Sequence, residues 1–185
     1  MTDLLQEYPD LVILSMDQMK LYFQATLTRV WALKGQTPMV RVTPQRDLVH
    51  FYGALDLRNG REIAVTAPEQ TGVVTADFMR LLLLLFPTQH ILLLLDRATW
   101  HRGPAIEQVL DENPRLELMR YPPACPDLNP QEHVWSLARD AISHNHGYTC
   151  FQSLIADFDT YLNETLFGTN FMHKYGPPID PAVLN

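Results

Sequence analysis

The sequence has few cysteines and no apolar run long enough to cross a membrane. Its 185 residues include two cysteines, Cys125 and Cys150, whose separation matches neither a disulfide framework nor a metal-ligand spacing. We therefore expect a reducing, cytoplasmic environment. The apolar runs at residues 81–86 and 91–95 are too short to span a bilayer, and no signal peptide is recognisable. These absences predict a soluble protein without a membrane partner.

Lysine and arginine are also scarce, and a formal net charge of −7 argues against a nucleic-acid partner, whose phosphates need cations. The basic residues are unevenly distributed, however. Between Gln18 and Arg61 the sequence carries a net charge of +5, whereas from Glu62 onward it carries −8. The early segment is therefore a candidate surface for a polyanion, although a basic face that only binds water explains the charge equally well.

The remaining composition is that of one globular domain, with 46% hydrophobic and 19% charged residues and no internal repeat. The first part of the chain is rich in β-type patterns. Short runs separated by turn signals predict an antiparallel meander, with strands over residues 11–16, 22–31, 48–57 and 61–66.

The second part of the chain alternates between helical and strand patterns. The predicted elements are a helix over 73–86, a strand over 91–95, a helix over 104–113, a strand over 116–121 and a helix from 129 to about 144. A last helix is expected to start at Thr149, with Gln152 at capping-box spacing. This order predicts an α/β fold with one mixed sheet and helices on its faces.

Three acidic residues occupy positions typical of a metal site. Asp17 and Asp96 each follow an apolar strand, and Glu132 lies in the first turn of a predicted helix. In a sheet covered by helices, ligands collect at strand ends. Converging carboxylates repel one another, and a divalent cation relieves that repulsion. Oxygen ligands alone favour Mg²⁺ or Mn²⁺ over zinc.

Each of these acids also has a purely structural interpretation. An aspartate at the end of a strand is commonly a turn or cap residue. Glu132 lies three residues after Asn129, which is the capping-box spacing, so its carboxylate would then hold the start of its own helix. Taken one residue at a time, the structural interpretation is favoured.

The motifs around the acids resemble those of a known family. The stretch Tyr121-Pro-Pro-Ala-Cys-Pro-Asp-Leu-Asn-Pro-Gln-Glu-His-Val-Trp135 resembles the signature Tyr-x-Pro-x-x-x-Pro-Asp-Leu-Asn-Pro-Ile-Glu-x-x-Trp of Tc/mariner-like DDE transposases and their bacterial insertion-sequence relatives. In this sequence one spacer residue fewer separates the tyrosine from the Pro-Asp-Leu-Asn-Pro core. The family's Asp-Asn-Ala-x-x-His motif resembles Asp96-Arg-Ala-Thr-Trp-His101, and its Trp-x-x-Lys-Gly-x-x-Pro motif resembles Trp31-Ala-Leu-Lys-Gly-Gln-Thr-Pro38. Between Asp96 and Glu132 lie 35 residues, as the family leads us to expect.

The resemblance covers about residues 11–158 and implies a fold, an activity and partners. It implies an RNase H-like catalytic core in which Asp17, Asp96 and Glu132 hold two Mg²⁺ or Mn²⁺ ions. The implied reaction is cleavage of transposon DNA ends and strand transfer into target DNA. Bringing two ends together implies at least a homodimer, and the implied location is the bacterial cytoplasm, on the nucleoid when DNA is bound.

Other residues near these motifs are weaker candidates. His101, Lys34 and Arg41 are candidate DNA contacts, although His101 equally fits a polar residue at a helix start. Trp135 is expected to pack in the core, and the histidines of His144-Asn-His146 to lie at a solvated helix end. Two positions depart from the family pattern, which often has Glu at Gln18 and Asn at Arg97.

The family also implies a helix-turn-helix region, and sixteen residues before Asp17 leave no room for one. We expect a catalytic domain over residues 1–167, a tail over 168–185 and no DNA-reading domain in this chain. An upstream-encoded helix-turn-helix partner or fusion would supply it. Two alternatives remain: an RNase H-like nuclease without strand transfer, and an inactive or truncated transposase remnant.

Overall fold

The computed structural model describes residues 10–25, 28–29, 31–36, 39, 47–123 and 128–168. Within these ranges the strands are β1 (Val12–Tyr22), β2 (Leu48–Asp56), β3 (Glu62–Ala67), β4 (Ile91–Leu95) and β5 (Leu116–Arg120). The α-helices are α1 (Gly72–Leu85), α2 (Pro104–Glu112), α3 (Pro130–Ala138) and α4 (Phe151–Glu164). A 3-10 turn, Thr99–His101, precedes α2, and a π-helical segment, Arg139–Ser143, continues α3.

The strands form one mixed five-stranded sheet in the order β3-β2-β1-β4-β5. The first three strands pair antiparallel, whereas β4 pairs parallel with β1 and with β5. The predicted antiparallel meander followed by helix-connected strands is therefore confirmed. The central strand β1 pairs antiparallel with β2 on one side and parallel with β4 on the other.

Successive side chains of β1 point to opposite faces of the sheet, and a separate hydrophobic core lies on each face. Ile13, Met19 and Leu21 point towards α3 and α4, whereas Leu14 and Met16 point towards α1 and α2. Burying one such side chain stabilises the fold by roughly 1.5–3 kcal/mol. The predicted helices on both faces are confirmed.

Local sequence signals fix the ends of the helices. The Thr71 side chain caps α1 by accepting a hydrogen bond from the amide of Val74, and Pro87 follows the end of this helix. Pro104 and Pro130 occupy the first turns of α2 and α3, where a missing amide proton costs nothing. In the ranges the structure covers, no helix is both long and apolar enough to cross a membrane.

Several predicted boundaries are wrong. The strand over 11–16 was expected to stop before Asp17, but β1 continues to Tyr22 because Met19 and Leu21 resume the inward alternation. No strand follows over the described part of residues 23–31. The last helix begins at Phe151 after Cys150, which makes no side-chain cap, so the capping box predicted for Thr149 and Gln152 is absent.

Gly53 of β2, which pairs with Asp17 of β1, leaves a space that other side chains fill. A Cβ at this position would collide with the Glu62 carboxyl and the Trp135 ring and lie 2.6 Å from the Gln131 amide nitrogen. The absence of a side chain at Gly53 therefore lets β3 and α3 approach the middle of the sheet.

We expect Gly53→Ala to lower the free energy of unfolding by about 1–3 kcal/mol, because an overpacked core must shift. Urea unfolding followed by circular dichroism measures this change. Gly147→Ala is the matched control, since nothing lies within 4 Å of a Cβ there. Equal losses in the two variants would contradict the packing role of Gly53.

Candidate active site

Strand register places Asp17 and Asp96 on the same face of the sheet. Ser15 pairs with Leu94 across the parallel β1 and β4 ladder. Asp17 lies two residues beyond Ser15 and Asp96 two residues beyond Leu94, so both point to the face that α3 and α4 cover. Asp17 lies within β1, whereas Asp96 directly follows β4, as predicted.

A hydrogen-bond network fixes the start of α3 against β1. The hydroxyl of Ser15 donates to Asn129 Oδ1 at 3.0 Å and therefore accepts from the hydroxyl of Tyr121 at 2.9 Å. The same Asn129 oxygen accepts from the amide of Gln131, which caps the helix. Tyr121 and Asn129 of the sequence motif thus bind the strand residue two positions before Asp17.

Glu132 lies in the first turn of α3 with an exposed side chain. Among the described residues it makes no side-chain hydrogen bond, so the capping-box alternative is not adopted here. Its negative charge nevertheless acts on Asp17, whose pKa it raises. The structure therefore places Glu132 close enough to Asp17 for its charge to act on that carboxyl.

The carboxyl of Asp17 has a strongly raised pKa. Burial raises its pKa to about 7, and the charges of Glu132 and Asp96 add to this shift against the opposing effect of the Gln18 amide and of His101. One oxygen, Oδ2, accepts a hydrogen bond of 3.2 Å from the indole of Trp135. A bound cation would offset the repulsion that raises this pKa.

Asp96 has the opposite electrostatic environment. The hydrogen bond from His101 lowers its pKa most, and the amide of Ala98, which donates to Oδ1 at 2.8 Å, contributes in the same direction. The ring nitrogen Nδ1 of His101 lies 2.6 Å from the same oxygen. Asp96 therefore stays ionised where Asp17 holds its proton.

His101 is fully buried, which favours a role in orienting Asp96 over direct contact with DNA. Its second nitrogen, Nε2, lies 2.8 Å from Gln18 Oε1. The indole of Trp100 donates to that oxygen at 2.7 Å, which identifies it as the acceptor of the amide. Both nitrogens of His101 thus face acceptor oxygens, one on Asp96 and one on Gln18.

The remaining residues singled out in the sequence have varied surroundings. Lys34 is exposed, and Arg41 lies outside the described residues. Trp135 packs in the core as predicted. The solvated position expected for His146 is wrong, because its ring is buried and stacks on Phe23.

Sequence reasoning missed Glu62, an acid buried at the centre of this region. Its pKa is raised well above the usual range, mainly by burial, with the charge of Asp17 adding to the shift. One carboxyl oxygen accepts from the side-chain amide of Gln131, whose carbonyl in turn accepts from the backbone of Leu55. Glu62 points to the same side of β3 as Ala64, which packs in the core. This alternation of side chains was the signal in the sequence that could have identified Glu62 as buried.

The donor chemistry of the three acids fits a hard divalent cation, since all their ligand atoms are carboxylate oxygens. In the described ranges, no group of three acid, histidine or cysteine side chains lies close enough together to hold one ion. In this structure the indole of Trp135 holds an oxygen of Asp17, and the ring of His101 holds one of Asp96.

Comparisons with known proteins identify the family. The family model described as DDE superfamily endonuclease matches residues 12–155. The insertion element IS630 39 kDa protein of Shigella sonnei is 23% identical over 131 residues, which are 70% of this chain and 38% of that protein. Protein y4pE/y4sA of Sinorhizobium fredii is 35% identical over 66 residues, which are 36% of this chain and 46% of that protein. The matched region covers less than half of the length of either relative.

Among solved structures, the mariner Mos1 paired end complex with Mg has a TM-score of 0.66 and 16% sequence identity. The alignment covers 89% of this chain and 52% of that one. The isolated catalytic domain of Mos1 mariner transposase aligns with a TM-score of 0.57 and 13% identity over 89% of this chain and 74% of that one. The RNase H-like fold predicted from the sequence is confirmed.

The raised pKa of Asp17 makes the metal-free protein sensitive to pH. The folded state keeps this proton up to about pH 7, whereas the unfolded chain loses it near 3.8. Unfolding therefore releases a proton in this window, and the free energy of unfolding falls as pH rises through it. We expect Asp17→Asn to remove this contribution, so its stability relative to wild type grows from pH 4 to about 7 and then levels off.

Urea unfolding in the presence of a chelator, repeated across this window, measures the difference. Asp111→Asn on exposed α2 is the control and should keep the wild-type slope. A pH-independent difference between Asp17→Asn and wild type would contradict the assigned environment.

Proposed function

The chain belongs to the DDE superfamily endonucleases, and we propose that it is the catalytic domain of an insertion-sequence transposase. In this proposal Asp17, Asp96 and Glu132 form the active site. The observation that carries it is the strand register, which places Asp17 and Asp96 on the face of the sheet covered by α3, whose first turn carries Glu132. The motif of residues 121–135 supports the same assignment, because it positions the helix that carries Glu132.

The proposed cofactor is Mg²⁺ or Mn²⁺, two ions per site, held by the three carboxylates. When bound, these ions would activate a water or a DNA 3′-hydroxyl for in-line attack on phosphorus and stabilise the leaving oxygen. The protein would hold the carboxylates in position for the ions. Trp135 orients Asp17 from the core, and His101 orients an ionised Asp96. Positioning and charge provide most of the catalysis in such reactions.

The proposed substrates are transposon ends and target DNA, which are cut and then joined. Holding two ends at once would require at least two copies of the chain. We propose residues 1–167 as the catalytic domain and 168–185 as a tail. Recognition of terminal repeats would then come from a helix-turn-helix segment outside residues 1–167.

We expect Asp96→Asn to reduce Mn²⁺-dependent nicking of supercoiled DNA by at least about 100-fold, because its removal takes away charge needed in the transition state. Circular dichroism should show an unchanged fold. Asp111→Asn removes one exposed acid of α2, away from the proposed site, and should nick like wild type. Nicking by Asp96→Asn at the wild-type rate would contradict the site.

The joining step is tested with a pre-cleaved end carrying a free 3′-hydroxyl and a separate target duplex. Wild-type protein should form a covalently joined product that Asp96→Asn does not form. Hydrolysis without any joined product would identify a nuclease that lacks strand transfer. The absence of both nicking and joining in the wild type would favour an inactive remnant.

A further inference from the structure

Three arginines line a cavity of about 200 Å³ beside Asp96. Arg97 directly follows Asp96, Arg102 directly follows His101, and Arg120 is the last residue of β5. The side chains come from three segments that meet at the end of the parallel part of the sheet. All three residues are exposed.

Backbone contacts orient two of these side chains without neutralising them. Arg97 Nε donates to the carbonyl of Tyr121 at 3.1 Å, and Arg120 Nη2 donates to the carbonyl of His101 at 2.8 Å. A guanidinium has five N–H donors, so most donors of each group are not used by these bonds. The acceptors are neutral, and the positive charges remain.

Carboxylates do not balance the cluster within the described residues. No ion pair joins Arg97, Arg102 or Arg120 to an acid there, and the charge of Arg120 acts on Asp96 by lowering its pKa. The side chain of Arg102 makes no hydrogen bond with any described residue. Three cations in one cavity repel one another, and an anion in the cavity removes that cost.

Guanidinium groups match the oxygens of a phosphate in shape and charge, often through paired hydrogen bonds. The cavity adjoins Asp96, where the proposed function places the phosphodiester that is cut. A DNA strand seated there would extend its neighbouring phosphates past the end of β4. The family pattern does not lead us to expect this cluster, because relatives commonly have asparagine at the position of Arg97.

We propose that Arg97, Arg102 and Arg120 form a subsite for the oxygens of a DNA backbone phosphate next to the one that is cleaved. This inference rests on the proposed function. It places a phosphate contact in the acid-rich part of the chain, where the net charge from Glu62 onward is −8. The contact is with the backbone, so it contributes affinity and register without reading base sequence.

The test uses the full chain and a short DNA duplex in Ca²⁺, with binding followed by fluorescence anisotropy at several salt concentrations. Replacing all three arginines by glutamine should weaken binding at least about tenfold and reduce the salt dependence by about one released ion. Variants with a single Arg→Lys change should keep most of the wild-type salt dependence, because the positive charge is retained. Arg80→Gln is the control, since this exposed arginine on α1 pairs with Asp77.

Separate arms distinguish the possible outcomes. A triple variant that binds DNA like Arg80→Gln, with the same salt dependence, would overturn the subsite. Tight binding of inorganic phosphate that the triple variant loses, with DNA binding unchanged, would overturn it in favour of a free phosphate ligand. Thermal melting of the triple variant at the wild-type temperature shows that loss of binding is not loss of fold.

Binding is measured separately from catalysis, so the two failures can be told apart. If wild-type protein neither nicks nor joins DNA but the triple variant still loses salt-dependent binding, the proposed function fails, whereas the three arginines are still assigned to a DNA backbone phosphate. If wild-type protein nicks DNA and the triple variant nicks equally well with unchanged KM, the subsite fails and the proposed function stands.

Discussion

The packing of Trp135 against the middle of the sheet holds the candidate site together. Its ring is buried in the core between α3 and β2, and its indole reaches Asp17 on β1. The side chain is accommodated only because Gly53 has no Cβ. Asn129 anchors the start of the same helix to Ser15, so Glu132 is carried on an element fixed at two points. The positions of the acids thus depend on apolar burial as much as on charge.

The acidic residues of the site differ in the direction in which their surroundings shift the pKa. Asp96 keeps its charge because His101 and a backbone amide bind it, whereas burial and two neighbouring charges hold the proton on Asp17. Glu62, more deeply buried still, adds a further carboxyl whose interior partner is the amide of Gln131. Asp96 and Glu132 lie on the side of the cluster that faces the solvent, whereas Glu62 lies in its interior.

The order of elements followed from the sequence because periodicity and proline positions are local signals. Asp96 was placed correctly, since Ile91–Leu95 is apolar throughout and ends at a charge. The same rule failed at Asp17, because a strand can carry a buried acid when a helix supplies a partner such as Trp135. Alternation along β3 indicates that Glu62 points inward. Its hydrogen-bond partner, Gln131, lies far along the chain and cannot be identified from the sequence of that strand. The grouping of the three acids came from motif resemblance, and their coupling through Asp17 supports it.

The space above Gly53 limits the substitutions that this protein can accept during evolution. Side chains from β3 and α3 meet there, and each occupies volume that the others leave. A larger residue at position 53 is tolerable only alongside a smaller one at position 62, 131 or 135. Among homologues, these four positions should therefore covary, and single replacements drawn from a distant relative should be less compatible with this backbone than the whole set exchanged at once.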